Sequence, residues 1–220
     1  MLSAVVAFGM ACVPLRAQTT EVYHLGFEPD DEPAGLFIPV DSQNKKCTFD
    51  VVSDNPHSGG FCARMNCDDY ARFAIFPKRE VPLSGAGRYR ISVWVRAGQS
   101  FAIKDGLPGF FIRLNMPLSP HTITLFHILP DGRVSKDSIP YIQGPSLPTT
   151  WTQMGAVLEI PANISTLTTN LFVAGAKGEV FVDDLSIEKE PDDTPLTPVL
   201  TANDNAQPQP ASTTGAATPK

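Results

Sequence analysis

Two acids sit where strand periodicity leaves them in need of partners. In the segment 178–189, GEVFVDDLSIEK, Phe181, Leu185 and Ile187 share one parity, as a strand with a single buried face requires, and Asp183 falls on that same inward parity. A carboxylate turned toward a core is costly unless something pairs or coordinates it. Near the start of the chain, Leu25-Gly26-Phe27-Glu28 reads as a short apolar strand that also ends on an acid. Acid-ended strands at opposite ends of one domain place its termini side by side, with a hard cation or a hydrogen-bond network between them. Calcium prefers roughly six to eight oxygens, and the Ser58-Gly59-Gly60 turn has carbonyls to offer. The competing reading is that Asp183 and Asp184 accept backbone N–H groups at a strand edge, with no metal.

A second set of residues suits sugar. Pyranose rings pack their C–H faces on aromatic side chains while polar groups take the hydroxyls. On a strand over 89–96, Tyr89, Ile91, Val93 and Val95 form one face and leave Arg90, Ser92, Trp94 and Arg96 on the other. Over 110–116, the apolar parity is Phe110, Ile112, Leu114 and Met116, leaving Phe111, Arg113 and Asn115. Trp94, Arg96, Arg113 and Asn115 would floor a saccharide groove if their strands share a sheet. Otherwise Trp94 packs beneath a loop or beneath the arginine stems. Trp151 reads as a core residue at a strand start.

Catalytic signatures are missing. The sequence holds no Gly-x-Ser-x-Gly elbow, phosphate loop, His-Glu-x-x-His or Cys-x-x-Cys. His24, His57, His121 and His127 are scattered, and most acids lie in loops or in the tail rather than as a pair across a cleft. The expectation is a protein that is not an enzyme.

Several of these motifs belong together. Gly-Phe-Glu at 26–28, Gly-Arg-Tyr-Arg-Ile-Ser-Val-Trp-Val-Arg at 87–96, Thr-Thr-Trp-Thr at 149–152 and Phe-Val-Asp-Asp-Leu-Ser-Ile at 181–187 resemble the cellulase-associated carbohydrate-binding modules of families 4, 9 and 22. These are jelly rolls among the galactose-binding-like β-sandwiches, and the resemblance covers 22–189. It implies a non-catalytic module whose partner is a poly- or oligosaccharide. It also implies a structural calcium, with Asp183 matching the first acid of the closing pair and Glu28 the early acid.

The elements that must carry these residues are short strands. The chain has 220 residues, enough for one domain with its own core. Some nine or ten strand-like runs are separated by Gly and Pro clusters, including an Asp131-Gly132 turn signal, and no window has trustworthy helical periodicity. An antiparallel two-sheet β-sandwich, all-β, is the expected architecture. The formal net charge of -6 gives no electrostatic reason to expect nucleic acid or an anionic membrane. Residues 1–17 read as a secretory signal cut after Ala17, with lipoprotein anchoring at Cys12 disfavoured by Gly9, and no other apolar run is long enough to span a membrane. The domain is therefore expected over 18–189, secreted or periplasmic. From 190 to 220 the Pro-, Thr- and Ala-rich composition reads as a disordered tail, a possible contact for a protein partner.

Removal of the leader leaves Cys47, Cys62 and Cys67, an odd number. Strands on either side of the 54–60 loop form a hairpin, and pairing Val51 with Ala63 and Phe49 with Met65 puts Cys47 opposite Cys67, with Cys62 pointing the other way. A Cys47–Cys67 disulfide is expected. The alternatives to a sugar-binding module are a structural or protein-interaction sandwich of the cell envelope and an accessory subunit of a glycoside hydrolase.

Overall fold

The computed structural model describes residues 19–31, 37–40, 47–77, 80–119, 122–136 and 143–200. The leader expected over 1–17, His121 and most of the expected tail lie outside them. Every regular element described is a strand: β1 (Thr20–Leu25), β2 (Phe37–Val40), β3 (Cys47–Val52), β4 (Cys62–Pro77), β5 (Val81–Pro82), β6 (Gly87–Ala97), β7 (Ala102–Ile103), β8 (Gly109–Ser119), β9 (Thr122–Ile128), β10 (Val134–Lys136), β11 (Thr152–Ile160), β12 (Thr166–Glu190) and β13 (Val199–Leu200).

Two strands organise the rest. The runs around 168–173 and 178–189 are one continuous strand, β12, which with β4 threads through both halves of the sandwich. The C-terminal part of β12 pairs with β6, with β1 and with the start of β4, and β6 in turn pairs with β11. Its N-terminal part pairs with β8, which leads to β9 and β10, and with the end of β4. The change of course coincides with register shifts on either side of Ala176. Gly178 permits it, with φ 87°, and a Cβ there would stand 2.4 Å from the carbonyl oxygen of Ser100.

The core lies between the two halves. Tyr89, Ile91, Val93 and Val95 of β6 and Phe110, Ile112, Leu114 and Met116 of β8 are all buried in one cluster, as their alternation required. The hairpin of β3 and β4 has the expected register, with Cys47 opposite Cys67, Phe49 opposite Met65 and Val51 opposite Ala63. Cys47 and Cys67 form the disulfide, and Cys62 is free and buried. The Asp131-Gly132 signal is a tight turn in which Gly132 N–H donates to Leu129 O.

Two readings of the chain change. The segment after Glu190 does not leave the domain at once: β13 pairs in parallel with β10, Thr197 and Val157 exchange hydrogen bonds, and Val199 packs on the core. Asp183, moreover, does not point into the core. Val180 and Val182 are the core residues there, while Phe181 faces outward beneath Arg96. A register shift between Asp183 and Ser186, with Asp184 at φ 47°, then swings Leu185 and Ile187 inward. One irregular residue had made two opposite faces look like one.

Candidate functional site

Asp183 is nonetheless fully buried, because the 54–61 loop lies across the outer face of β6 and β12. Asp183 Oδ2 accepts from the amides of His57 (2.9 Å) and Ser58 (3.2 Å), and Oδ1 accepts from the amide of Asp184 (2.9 Å). Burial pushes its carboxyl up to about 6, although these amides pull it down. Asp184 goes the other way. Burial alone would raise it, but hydrogen bonds from His57, Ser58 and His24 together hold it below its ordinary value. Glu28 completes the clasp by accepting the amides of Gly60 (2.7 Å) and Phe61 (3.0 Å). It approaches so closely that a Cβ on Gly59 would meet Glu28 Oε1 at 2.1 Å.

The calcium implied by the family resemblance can be tested against these donors. The loop turns the N–H groups of His57, Ser58, Gly60 and Phe61 toward Glu28 and Asp183. Such a lining suits the carboxylates themselves and opposes a cation between them. Among the described residues, no three His, Cys, Asp or Glu side chains come together in a way that would hold a metal. The acid pair as it stands does not fit calcium, and the hydrogen-bond alternative describes it.

The same loop occupies Trp94. The His57 imidazole stacks on the Trp94 ring at 3.7 Å between centroids and 15° between planes. Trp151, expected in the core, instead donates its indole N–H to Asn55 O. Arg96 is buried, donates to Asp54 O and Asp54 Oδ2, and lies 3.7 Å over the Phe181 ring. Trp94 and Arg96 therefore fasten a loop, with one face of the indole taken by the protein itself.

Arg113 and Asn115 belong to the other half of the sandwich, so the four residues do not form one floor. In register across β4, β12, β8 and β9, Phe111 lies beside Phe172, Arg113 beside Asn170 and His127, and Asn115 beside Thr168. Arg113 donates Nε–H to Asn115 Oδ1 at 3.2 Å, and its guanidinium lies 4.6 Å over the Phe172 ring, which in turn stacks on Phe111 at 5.2 Å. Phe111, Phe172, Ala74, Ala174 and Leu129 form a small apolar cluster outside the main core. In the middle of this row sits Asn170, fully buried, with neither Oδ1 nor Nδ2 hydrogen-bonded. An unpaired amide there costs about 1–3 kcal/mol. The sequence did carry a signal for it, since Asn is depleted in strands.

Solved family 22 carbohydrate-binding modules share this fold. The C-terminal family 22 module of Clostridium thermocellum Xyn10B superposes with a TM-score of 0.52 at 13% identity, over 78% of this chain and 94% of that one. The CBM22-2 xylan-binding domain of Paenibacillus barcinonensis Xyn10C gives 0.51 at 14%, over 77% and 99%. A longer Clostridium thermocellum chain, CBM22-1 and GH10 modules complexed with xylohexaose, gives 0.52 at 14% over 79% of this chain, which spans 29% of that one. Identities this low speak for the jelly-roll fold. No family model and no curated protein matches the chain.

Proposed function

We propose that this chain is an extracellular, non-catalytic carbohydrate-binding protein, and that it takes a poly- or oligosaccharide on the outer face of β8 and β12 through Arg113, Asn115 and Asn170. The observation that carries the reading is the Asn170 amide. A polar group kept buried and unpaired lowers stability, and Asn170 becomes reachable only when the side chains over it move aside, so its presence supports a site that opens as a ligand binds and completes its hydrogen bonds. The Arg113–Asn115 pair beside it supplies further donors, oriented by the Phe172 ring and by one another. The fold shared with xylan-binding domains supports the class of ligand. Extracellular residence is supported by the Cys47–Cys67 disulfide and by the leader-like sequence at 1–17.

Affinity electrophoresis against a panel of plant and bacterial polysaccharides tests this directly. Retention by at least one of them is expected, reduced at least tenfold in apparent affinity by Asn170→Ala, which is about 1.4 kcal/mol or more. Uniform non-retention of the wild type would favour the envelope or protein-interaction alternative.

A further inference from the structure

The connection from β11 to β12 carries an amide and a hydroxyl in a spacing used nowhere else in the chain. Of the eight Asn residues, only Asn163 has a hydroxyl residue two positions on, in Asn163-Ile164-Ser165, and neither Ile164 nor Thr166 after it is replaced by proline. Asn55, also exposed, is followed by Pro56 and His57. The fold holds the tripeptide in place. Pro161 O accepts the amide of Ile164 at 3.0 Å, closing a tight turn, and Ser165 O accepts the amide of Leu83 at 2.9 Å. Ile164 is 1% exposed and packs in the main core, as do Ile160 before it and Leu167 after it. Pro161, Ala162, Asn163 and Ser165 are exposed. With the middle residue turned inward, Asn163 and Ser165 both stand on the solvent side of the chain. An exposed turn of small residues tolerates a bulky addition that a strand interior would not. Asn-x-Ser on a surface turn of an exported chain is the pattern that oligosaccharyl transfer reads.

Resting on the extracellular residence proposed above, we infer that Asn163 is a modification site, the acceptor of a single N-linked glycan. The donor is an oligosaccharide carried on a polyprenyl diphosphate. Asn163 Nδ2 bonds to the anomeric carbon of its first sugar, the C–O bond from that carbon to the diphosphate breaks, polyprenyl diphosphate leaves with the electron pair, and the amide gives up one proton. Nothing is oxidised or reduced. Ser165 is unchanged by the transfer, and its hydroxyl is what the transferase reads beside the amide. Transfer acts on the chain as it is exported, before β11 and β12 pair, so the contacts that Asn163 makes in the folded protein do not compete with it. The folded turn has only to leave the glycan outside, as the exposure of Asn163 does.

The test is expression of the full chain, with its own residues 1–17, in a eukaryotic secretory host, followed by intact mass and gel mobility before and after peptide N-glycosidase F. The secreted chain is expected to carry one glycan that the glycosidase removes, converting the acceptor amide to a carboxylate. Asn163→Gln and Ser165→Ala should each abolish the mass increase, while Ser165→Thr, which keeps the hydroxyl, should preserve it. Because transfer precedes folding, these readouts hold whether or not a variant folds. A secreted chain whose mass the glycosidase leaves unchanged would overturn the acceptor inference and leave extracellular residence standing. A mass increase that persists in Asn163→Gln would overturn it as well. Retention of the unprocessed chain inside the cell would count against extracellular residence, and residues 18–220 placed behind the host's own leader then decide the acceptor separately: no glycan on that secreted chain would overturn it too.

Discussion

Trp94 and Asp183 show how a side chain that looks suited to chemistry is absorbed by packing. The Trp94 face that a sugar ring would need carries His57, so Trp94→Ala should act on stability. Loss of the stack and of the loop it fastens is expected to cost about 2 kcal/mol, with polysaccharide retention preserved wherever the variant is folded; chemical denaturation checks this. Asp183 makes a pH prediction. Its folded carboxyl titrates near 6, above the unfolded value, so the protonated form is favoured in the folded state. The stability this group contributes is full below about pH 4 and is lost as pH rises to about 6, on the order of 2 kcal/mol. Asp184 is shifted the opposite way and gains stability above its unfolded value. The separable expectation is therefore that Asp183→Asn removes a downward slope of stability between pH 4 and 6; an unchanged slope in that variant would contradict it.

At the scale of strands, what the sequence revealed depended on whether parity alone decides the question. The β3–β4 hairpin was legible because alternation pairs Val51 with Ala63 and Phe49 with Met65 and so opposes Cys47 to Cys67, and the structure has that register. Reduction should cost about 3 kcal/mol for a crosslink spanning 20 residues; a thermal midpoint unmoved by reductant would contradict it. Inward and outward faces of β6 and β8 were equally legible from alternation. Parity does not say which half of the sandwich a strand joins, however, and so Trp94 and Asn115 could be grouped although their strands lie in different halves. Nor did it reveal the shift at Asp184, where an Asp rather than a Gly takes the left-handed conformation and leaves no turn signal. The stretch after Glu190 misled by composition: its prolines suggest a tail, but Thr197 and Val199 give it enough anchorage to stay on the domain.

For the molecule as a whole, the two outer faces of the sandwich differ in how their polar groups are satisfied. One is closed by the 54–61 loop, whose backbone N–H groups are accepted by Glu28 and Asp183 and whose Ser58 hydroxyl and His57 ring bond Asp184, so that it ties β12 to the segment that follows β1. Metal-stripped protein should accordingly melt within about 1 °C of protein supplied with calcium, since an ion that binds only the folded state would add about 2.7 kcal/mol at a hundredfold excess over its dissociation constant. A clear rise on adding calcium, abolished by Asp183→Ala, would restore the metal. The other face keeps a buried amide without a partner, and the binding reading stands on it. The most direct measurement is paired: melting temperature and polysaccharide retention of wild type, Asn170→Ala and Trp94→Ala side by side. Asn170→Ala is expected to melt at or above the wild-type temperature and to lose retention, while Trp94→Ala melts lower and is still retained. Retention that survives in Asn170→Ala, or that disappears in a folded Trp94→Ala, would contradict the assignment of the site to this face.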